Sequence, residues 1–567
     1  MPGAVARRIG VAPWVLLGYA AIATWILRPR IAELDRHIIA GNEPCDTVPN
    51  AMAWAIGWGL SRIDALFAGY WDAPIFHPVR GAFVLSEAMP VLSLLVWPLH
   101  AVGAPLATCV DALVLGSLVA NGWFLRRLLL HLRISQTPAM LGGAIVVMLP
   151  FTQLELGVLA LLSLWPALWA MTAVSDLVLV RAGRPWRAGL ELGAAVVVGY
   201  GCCAQLTLFA VMAAIPAVAI ATPWPRLARA QWGGLCLAIA IGGAGVLPVA
   251  MHQRHVLAGF ALSRSERVQD YGAATAWQLA RVPWSPVEPV PRRMLARRFG
   301  ERALDPGPLR TLLAVAGLGL GLRRRRWRRP AGLLAGVAIA SVGLAVLPRV
   351  VIAGWSPQSS LAAIVPGLEH VRASFRAVAF AQLAVVALAM LALHLAWVRA
   401  RASQRRWPRL AVVVLGAWAL LELVPPPPKW IPLPDHDTAW QRWLRHEAEP
   451  GAIAVLPFPA GGDVCEHADA TGQMLRALDH GHPLVNGYSS FFPPLYVRTA
   501  RAVRQLPDAR GTLALRMIHT RFVVAHDGSA IDGLDAARRR ELGLRLRLRD
   551  DDAGVTIFEL VEPQHPP

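Results

Sequence analysis

The chain has 567 residues, 55% of them hydrophobic and 16% charged, with a mean hydropathy of +0.46. An ordinary soluble domain carries about 25% charged residues, so the composition excludes one. The net charge of +19 would point a soluble protein toward nucleic acid. Here the arginines sit in short loops between apolar runs, the positive-inside pattern of a membrane protein, and no nucleic-acid partner is expected.

The N-terminus reads "MPGAVARRIG" and then "VAPWVLLGYAAIATWIL". It resembles a signal peptide without a convincing small-residue cleavage site, which predicts a retained first helix. Apolar runs near the roughly 17–25 residues that span a bilayer recur through the first three quarters of the chain. They predict spans at about 11–28, 84–103, 106–125, 137–155, 157–180, 187–203, 205–223, 231–252, 309–322, 331–349, 375–398 and 410–425. Longer polar loops interrupt them at 29–83, 253–308 and 350–374. The fold class is therefore a polytopic α-helical membrane protein with about 11–13 transmembrane helices in residues 1–425.

Charge sets the expected orientation. Arg7, Arg8, "RRRRWRR" (Arg323 to Arg329) and "RARASQRRWPR" (Arg399 to Arg409) are placed inside. Loops 253–308 and 350–374 and the tail are then outside. Twelve crossings would return the chain to its starting side, so one segment between 84 and 187 is expected to be miscounted. Arg126, Arg127 and Arg133 break the alternation there.

The first outer loop carries "NAMAWAIGWGLSRIDALFAGYWD", with Trp54, Trp58, Ile63, Leu66 and Phe67 at helix-like intervals. Such a helix lies in the membrane interface or packs against the bundle, and both arrangements stay open. Past a proline-rich spacer, "VPPPPKWIPLPD", short β-type and helical patterns alternate. Residues 452–458, 520–526 and 555–561 predict strands, while "TAWQRWLRHEA", "ADATGQMLRALDH" and "YVRTARAVRQL" predict helices. Residues 426–567 are thus expected to form a C-terminal soluble α/β domain, extracytoplasmic by the charge rule. Four cysteines fall in apolar runs, while Cys45 and Cys465 fall in outer segments and could be paired or free. No metal-type Cys/His spacing occurs.

No nucleotide fingerprint, H-E-x-x-H site or G-x-S-x-G elbow is present. What remains is a set of outer acids and bases. Glu87 falls about one turn into the second predicted span, where it serves a function or snorkels to the interface. Asp46 is placed to cap the loop helix, a role compatible with being a base. Glu155 and Asp176 read as pairing inside the bundle or as span boundaries. Arg372 and Arg376 lie four apart, which puts them on one helix face at the outer end of a span, facing a phosphate or lipid headgroups. No spacing requires a metal; Asp35, Glu43 and Asp46 leave a divalent cation open.

Several motifs in order resemble one family. These are "CDTVPNAMAW" (45–54), "IFHPVRGAFVLSEAMP" (75–90), "PGLEHVRASFRAV" (366–378), "VLPFPAGG" (455–462) and "VNGYSSFFPP" (485–494). Together they resemble the GT-C superfamily of integral-membrane glycosyltransferases, in particular a bacterial branch with distant similarity to protein O-mannosyltransferases and aminoarabinose transferases. Departures are Thr47-Val48, where a proline usually begins the loop motif, and Ala88-Met89, where His-Leu usually follows the acid. The resemblance implies transfer of a sugar from a polyprenyl-phosphate donor, on the outer face of the inner membrane, to a glycan, lipid or protein acceptor. It implies Asp46 as base and Glu87 as a second acid in one cavity. Arg372 and Arg376, with Arg80 and His77, would bind phosphate. A non-enzymatic lipid-phosphate or polysaccharide binding or export component is the alternative.

Overall fold

A helix that is apolar on every side has to be buried, and Val378–Ala402 is buried along most of its length. It packs against the helices Pro308–Leu322, Arg328–Val346, Gln136–Val147 and Trp407–Leu421. At Gly317 a side-chain carbon would fall 2.0 Å from the Leu388 carbonyl oxygen, so two backbones touch there. Small residues at the crossing are how helices associate in lipid, where hydrophobicity alone drives nothing together.

The computed structural model describes residues 2–28, 33–179, 184–260, 269, 272–284, 302–402, 406–434, 437–459 and 461–563. The middle of the predicted loop 253–308 and part of the run 399–409 lie outside them. The chain forms two compact units. A helical unit comprises Met1–Arg30, Ala112–Arg254 and Ser263–Pro428; a mixed unit comprises Ile31–Asp111, His255–Leu262 and Lys429–Pro567. Among the described residues, seven helices are long and apolar enough to cross a membrane, and four more apolar helices are shorter. The protein is a polytopic helical membrane protein with a small sheet domain near its C-terminus.

Two predicted spans of the helical unit are broken. The first stops at Val147 and restarts as Pro150–Leu154, because a proline disfavours helix in the residue before it. The second begins as a 3₁₀ turn, Leu159–Leu162, and continues as Trp165–Val178. Buried amides take the freed backbone groups. Asn121 Nδ2 donates to the Leu162 carbonyl at 2.7 Å, and Gln153 Nε2 donates to that of Val147 at 2.9 Å. Gln382 accepts from the Phe151 N–H at 3.0 Å and donates to the Leu304 carbonyl at 2.9 Å. Non-helical backbone at membrane depth is tolerated only when satisfied in this way. Glu155 lies at such a break, while Asp176 stands 3.2 Å from His131 Nε2. Arg310, fully buried, donates to the Ala419 carbonyl and lies 3.8 Å from Glu422, tying Pro308–Leu322 to Trp407–Leu421.

In the mixed unit, β1 (His37–Gly41) pairs antiparallel with β2 (Lys429–Pro432). A second sheet has the order β3-β4-β6-β5, from Ala452–Leu456, Thr520–His526, Leu544–Asp550 and Val555–Leu560 as β3 to β6. Its β3–β4 pair is parallel and the rest antiparallel. The predicted tail helices form as Ala439–His446, Ala468–His480 and Pro494–Val503. Three strands escaped prediction: β1, β2 and "LRLRLRD", whose arginines alternate with leucine along β5.

The loop helix is Thr47–Ile63, and it packs on Ala468–His480 and Pro90–Ala101. Trp54 and Trp58 are buried inside the mixed unit, with Trp58 Nε1 donating to the Tyr70 carbonyl at 2.9 Å. Of the two arrangements left open, the burial of these tryptophans favours the packed one. Leu66 and Phe67 leave the helix in a turn with φ of 51° and 61°. The segment predicted to span at 84–103 is also corrected: its helix, Pro90–Ala101, has 12 residues. That makes a rod about 18 Å long, against a hydrocarbon layer of about 30 Å.

Cys45 and Cys465 form a disulfide, with Cα atoms 5.5 Å apart across 420 residues of sequence. It ties the start of the loop helix to the turn before Ala468–His480. Closing so long a loop stabilises by about 2–4 kcal/mol. Cys465→Ser is expected to lower the unfolding midpoint of the mixed unit by about 5–15 °C, followed by intrinsic fluorescence, and a reducing agent should reproduce the shift in the wild type.

Candidate functional site

Three of the sequence motifs meet on one edge of the second sheet. The Ile453 N–H donates to the Pro483 carbonyl, and the Val485 N–H donates to that of Ile453, both at 2.8 Å, so 483–485 runs beside β3. Asn486 then bonds Val455 twice, accepting from its N–H at 2.7 Å and donating to its carbonyl at 2.8 Å. The first-loop segment lies alongside. The Leu484 N–H donates to the Pro74 carbonyl at 2.9 Å, the His77 N–H to that of Leu484 at 2.8 Å, and the Phe76 N–H to that of Asn486 at 3.2 Å. Gly487 leaves room for the Phe76 ring, which would sit 2.8 Å from any added side-chain carbon. Phe76 also packs on Tyr496, with ring centres 4.9 Å apart.

This ladder positions Glu87. After the 3₁₀ turn Ala82–Leu85, the Ser489 hydroxyl donates to the Leu85 carbonyl and Ser86 Oγ donates to Ser489 Oγ at 3.2 Å. Glu87 follows, half-buried, in the extended link before Pro90. Its placement within a span is corrected: the helix starts only at Pro90, and a proline disfavours helix in the residue before it. His77 Nε2 donates to the Ile518 carbonyl at 3.0 Å. Burial lowers its pKa, the Ile518 carbonyl pulls the other way, and His519 adds to the lowering. Its ring fastens the loop to the tail. Arg80 is exposed, next to a turn closed by the Gly81 N–H donating to Asp72 Oδ1 at 2.8 Å.

Asp46 occupies the N-cap position of the loop helix, yet its side chain makes no cap bond. Its Oδ1 instead lies 3.2 Å from Lys429 Nζ, with the carboxylate side chain 43% exposed. The residues on either side hold it: Cys45 through the disulfide, and Thr47 by donating to the Val464 carbonyl at 2.8 Å. Lys429 is delivered by strand pairing, since it stands opposite Gly41 in the β1–β2 register. Sequence reasoning gave this residue, the only lysine in the chain, no role; its solitude among arginines was the available signal. It also passed over Asp111, which is 8% exposed near the start of the helix Leu106–His131, beside the Ile39 backbone. A lone acid in an apolar run was the signal there.

Asp46, His77, Arg80 and Glu87 belong to the mixed unit, and Arg372 and Arg376 to the helical unit. The two arginines do not share a helix face. Arg372 is exposed in the loop before the 3₁₀ turn Ser374–Ala377, and Arg376 is in that turn, ahead of the helix Val378–Ala402. The chain is held there at backbone contact, with Gly272 against the Arg372 carbonyl and the Phe375 N–H donating to that of Gly272 at 3.1 Å. Arg376 Nη1 donates to Gln205 Oε1 at 2.6 Å. Among the described residues, no three His, Cys, Asp or Glu side chains come together as metal ligands. The Asp35, Glu43 and Asp46 set is thus not assembled.

The fold is similar to that of a solved glycosyltransferase. Over 97% of the chain the structure is similar to that of the arabinofuranosyltransferase AftD from Mycobacteria, at 16% identity and a TM-score of 0.56. The chain spans 40% of the length of AftD. It is also similar to the oligosaccharyltransferase of Archaeoglobus fulgidus, at 11% identity and a TM-score of 0.47, covering 90% of this chain and 69% of that one. No protein-family model and no curated protein matches the sequence.

Two outcomes are expected of the mixed unit. Asn486→Ala strands both polar groups of the Val455 peptide, which should cost about 2–4 kcal/mol and open the segment 72–90 to limited proteolysis. The second concerns His480, whose pKa burial pushes down to about 3, with His482 adding to the shift. Its Nδ1 accepts from the His482 N–H at 3.1 Å, and a proton there would replace acceptor with donor. Between pH 6.5 and 3 the unfolded chain binds the extra proton, so stability is complete above pH 6.5 and falls as the pH drops. Unfolding titrations should show about 2 kcal/mol lost from this residue between pH 7 and 5, and His480→Gln should remove that part of the slope.

Proposed function

We propose that the chain is a membrane glycosyltransferase that takes a sugar from a polyprenyl-phosphate donor and transfers it to an acceptor on the outer face of the inner membrane. The observation that carries this reading is the likeness of 97% of the chain to the fold of an arabinofuranosyltransferase, at a TM-score of 0.56. The chemistry of the residues supports it. Displacement at an anomeric carbon passes through an oxocarbenium-like state, which a nearby carboxylate stabilises. Another carboxylate removes the acceptor proton.

Asp46 is the proposed base, because its carboxylate is exposed while its backbone is pinned by Cys45 and Thr47. Glu87 is the proposed second acid, held by the Ser86–Ser489 contact. Arg376 and Arg372 are the proposed partners of the leaving phosphate, for which guanidinium forks are suited. A cavity of about 520 Å³ in the helical unit suits an isoprenoid chain, since no charged residue lines it. Leu206 and Phe380 line it, and Leu206 follows Gln205, the partner of Arg376, which supports a donor phosphate near this groove.

The test is transfer from a labelled polyprenyl-phosphate sugar in membranes, measured beside lipid binding. Asp46→Asn should lower transfer by about 100-fold or more with binding retained. Unchanged transfer removes Asp46 as the base. If the wild type binds lipid phosphate but consumes no donor, the protein is instead a binding or export component.

A further inference from the structure

The helical unit contains a second cavity, of about 1000 Å³, and its character is opposite to that of the apolar groove. Three turns converge on it. One joins Pro308–Leu322 to Arg328–Val346 and carries the arginine run; one follows Leu106–His131; the third follows Ala204–Ala221. Five guanidinium side chains line it: Arg133, Arg325, Arg326, Arg328 and Arg329. Among the described residues no Asp or Glu lines it. The nearby acid Asp176 is engaged with His131, 3.2 Å away.

Arginines at helix ends are ordinary on the inner side of a membrane protein. A convex or flat distribution would need no further account. Here they surround a recess, where like charges repel and call for a bound anion. A second feature points the same way. Thr222 lines the recess and is 7% exposed, and its hydroxyl has no hydrogen-bond partner. A buried hydroxyl left unpaired costs free energy that a ligand oxygen would recover. The recess is also amphipathic: Ile220 and Leu322 line it and are 87% and 45% exposed, so a ligand there meets apolar surface as well as charge.

We infer that this recess binds the phosphate headgroup of an anionic phospholipid, with the arginines and Thr222 on the phosphate and the acyl chains against Ile220 and Leu322. The site is independent of the transferase reading. It lies on the side that the charge bias assigns to the cytoplasm, and its ligand is an anchor rather than a substrate.

The test uses the purified full chain, exchanged into phosphatidylglycerol or phosphatidylcholine and examined by native mass spectrometry for retained lipid. Phosphatidylglycerol should be retained preferentially. Arg325→Gln with Arg329→Gln should weaken that retention by about 10- to 30-fold, as two lost cations near a lipid surface do. Arg323→Gln with Arg324→Gln removes the same charge from the same run but from residues that do not line the recess, and should change retention by about twofold at most. Thr222→Val leaves every charge in place and should weaken retention by about three- to tenfold. Equal effects of the two arginine pairs would overturn the site in favour of diffuse surface attraction. Retention of inorganic pyrophosphate without any preference for phosphatidylglycerol would overturn the lipid as its occupant.

Discussion

The mixed unit depends on backbone pairing between segments separated by about four hundred residues of sequence. Strand β1 finds β2, and 74–77 finds 484–486. Each contact closes a long loop, whose entropic cost grows only slowly with length. The disulfide between Cys45 and Cys465 closes a comparable one. Every proposed acid inherits its position from these pairings. Asp46 meets Lys429 because Gly41 stands opposite that lysine, and Glu87 follows a serine held by Ser489.

The helical unit obeys a different constraint. Backbone that leaves the helix within lipid must be satisfied by protein. The amides of Asn121, Gln153 and Gln382 serve the breaks near Val147, Phe151 and Leu162. The same economy explains Arg310, whose guanidinium is spent on carbonyls and Glu422 at a helix end. It is buried and charged, and its contacts show a structural role. The carboxylate of Asp46, which faces Lys429, and the guanidinium of Arg372 are exposed by comparison.

Periodicity carried far in this chain because its signals are local. "TRFVVAH" reads as a strand and is β4; "ADATGQMLRALDH" reads as a helix and is one, residue for residue. It carried less far where two local rules compete. The run from Ala82 is apolar enough to suggest a span, but Pro90 cuts it into a 3₁₀ turn, an extended link and a short helix. The spacing of Arg372 and Arg376 suggests one helix face, but the helix begins only at Val378.

The sequence alone determined that this is a many-helix membrane protein with a mixed tail, because apolar length and charge bias are properties of composition and order. It also marked Asp46, Glu87, His77 and Arg80 as outer polar residues. Tertiary structure decided what those residues touch. It engages His77 with Ile518, pairs Asp46 with the only lysine, buries the loop tryptophans, and gathers five scattered arginines around one recess. Contacts between distant segments depend on strand register and helix crossing, and neither is written in any single stretch of the chain.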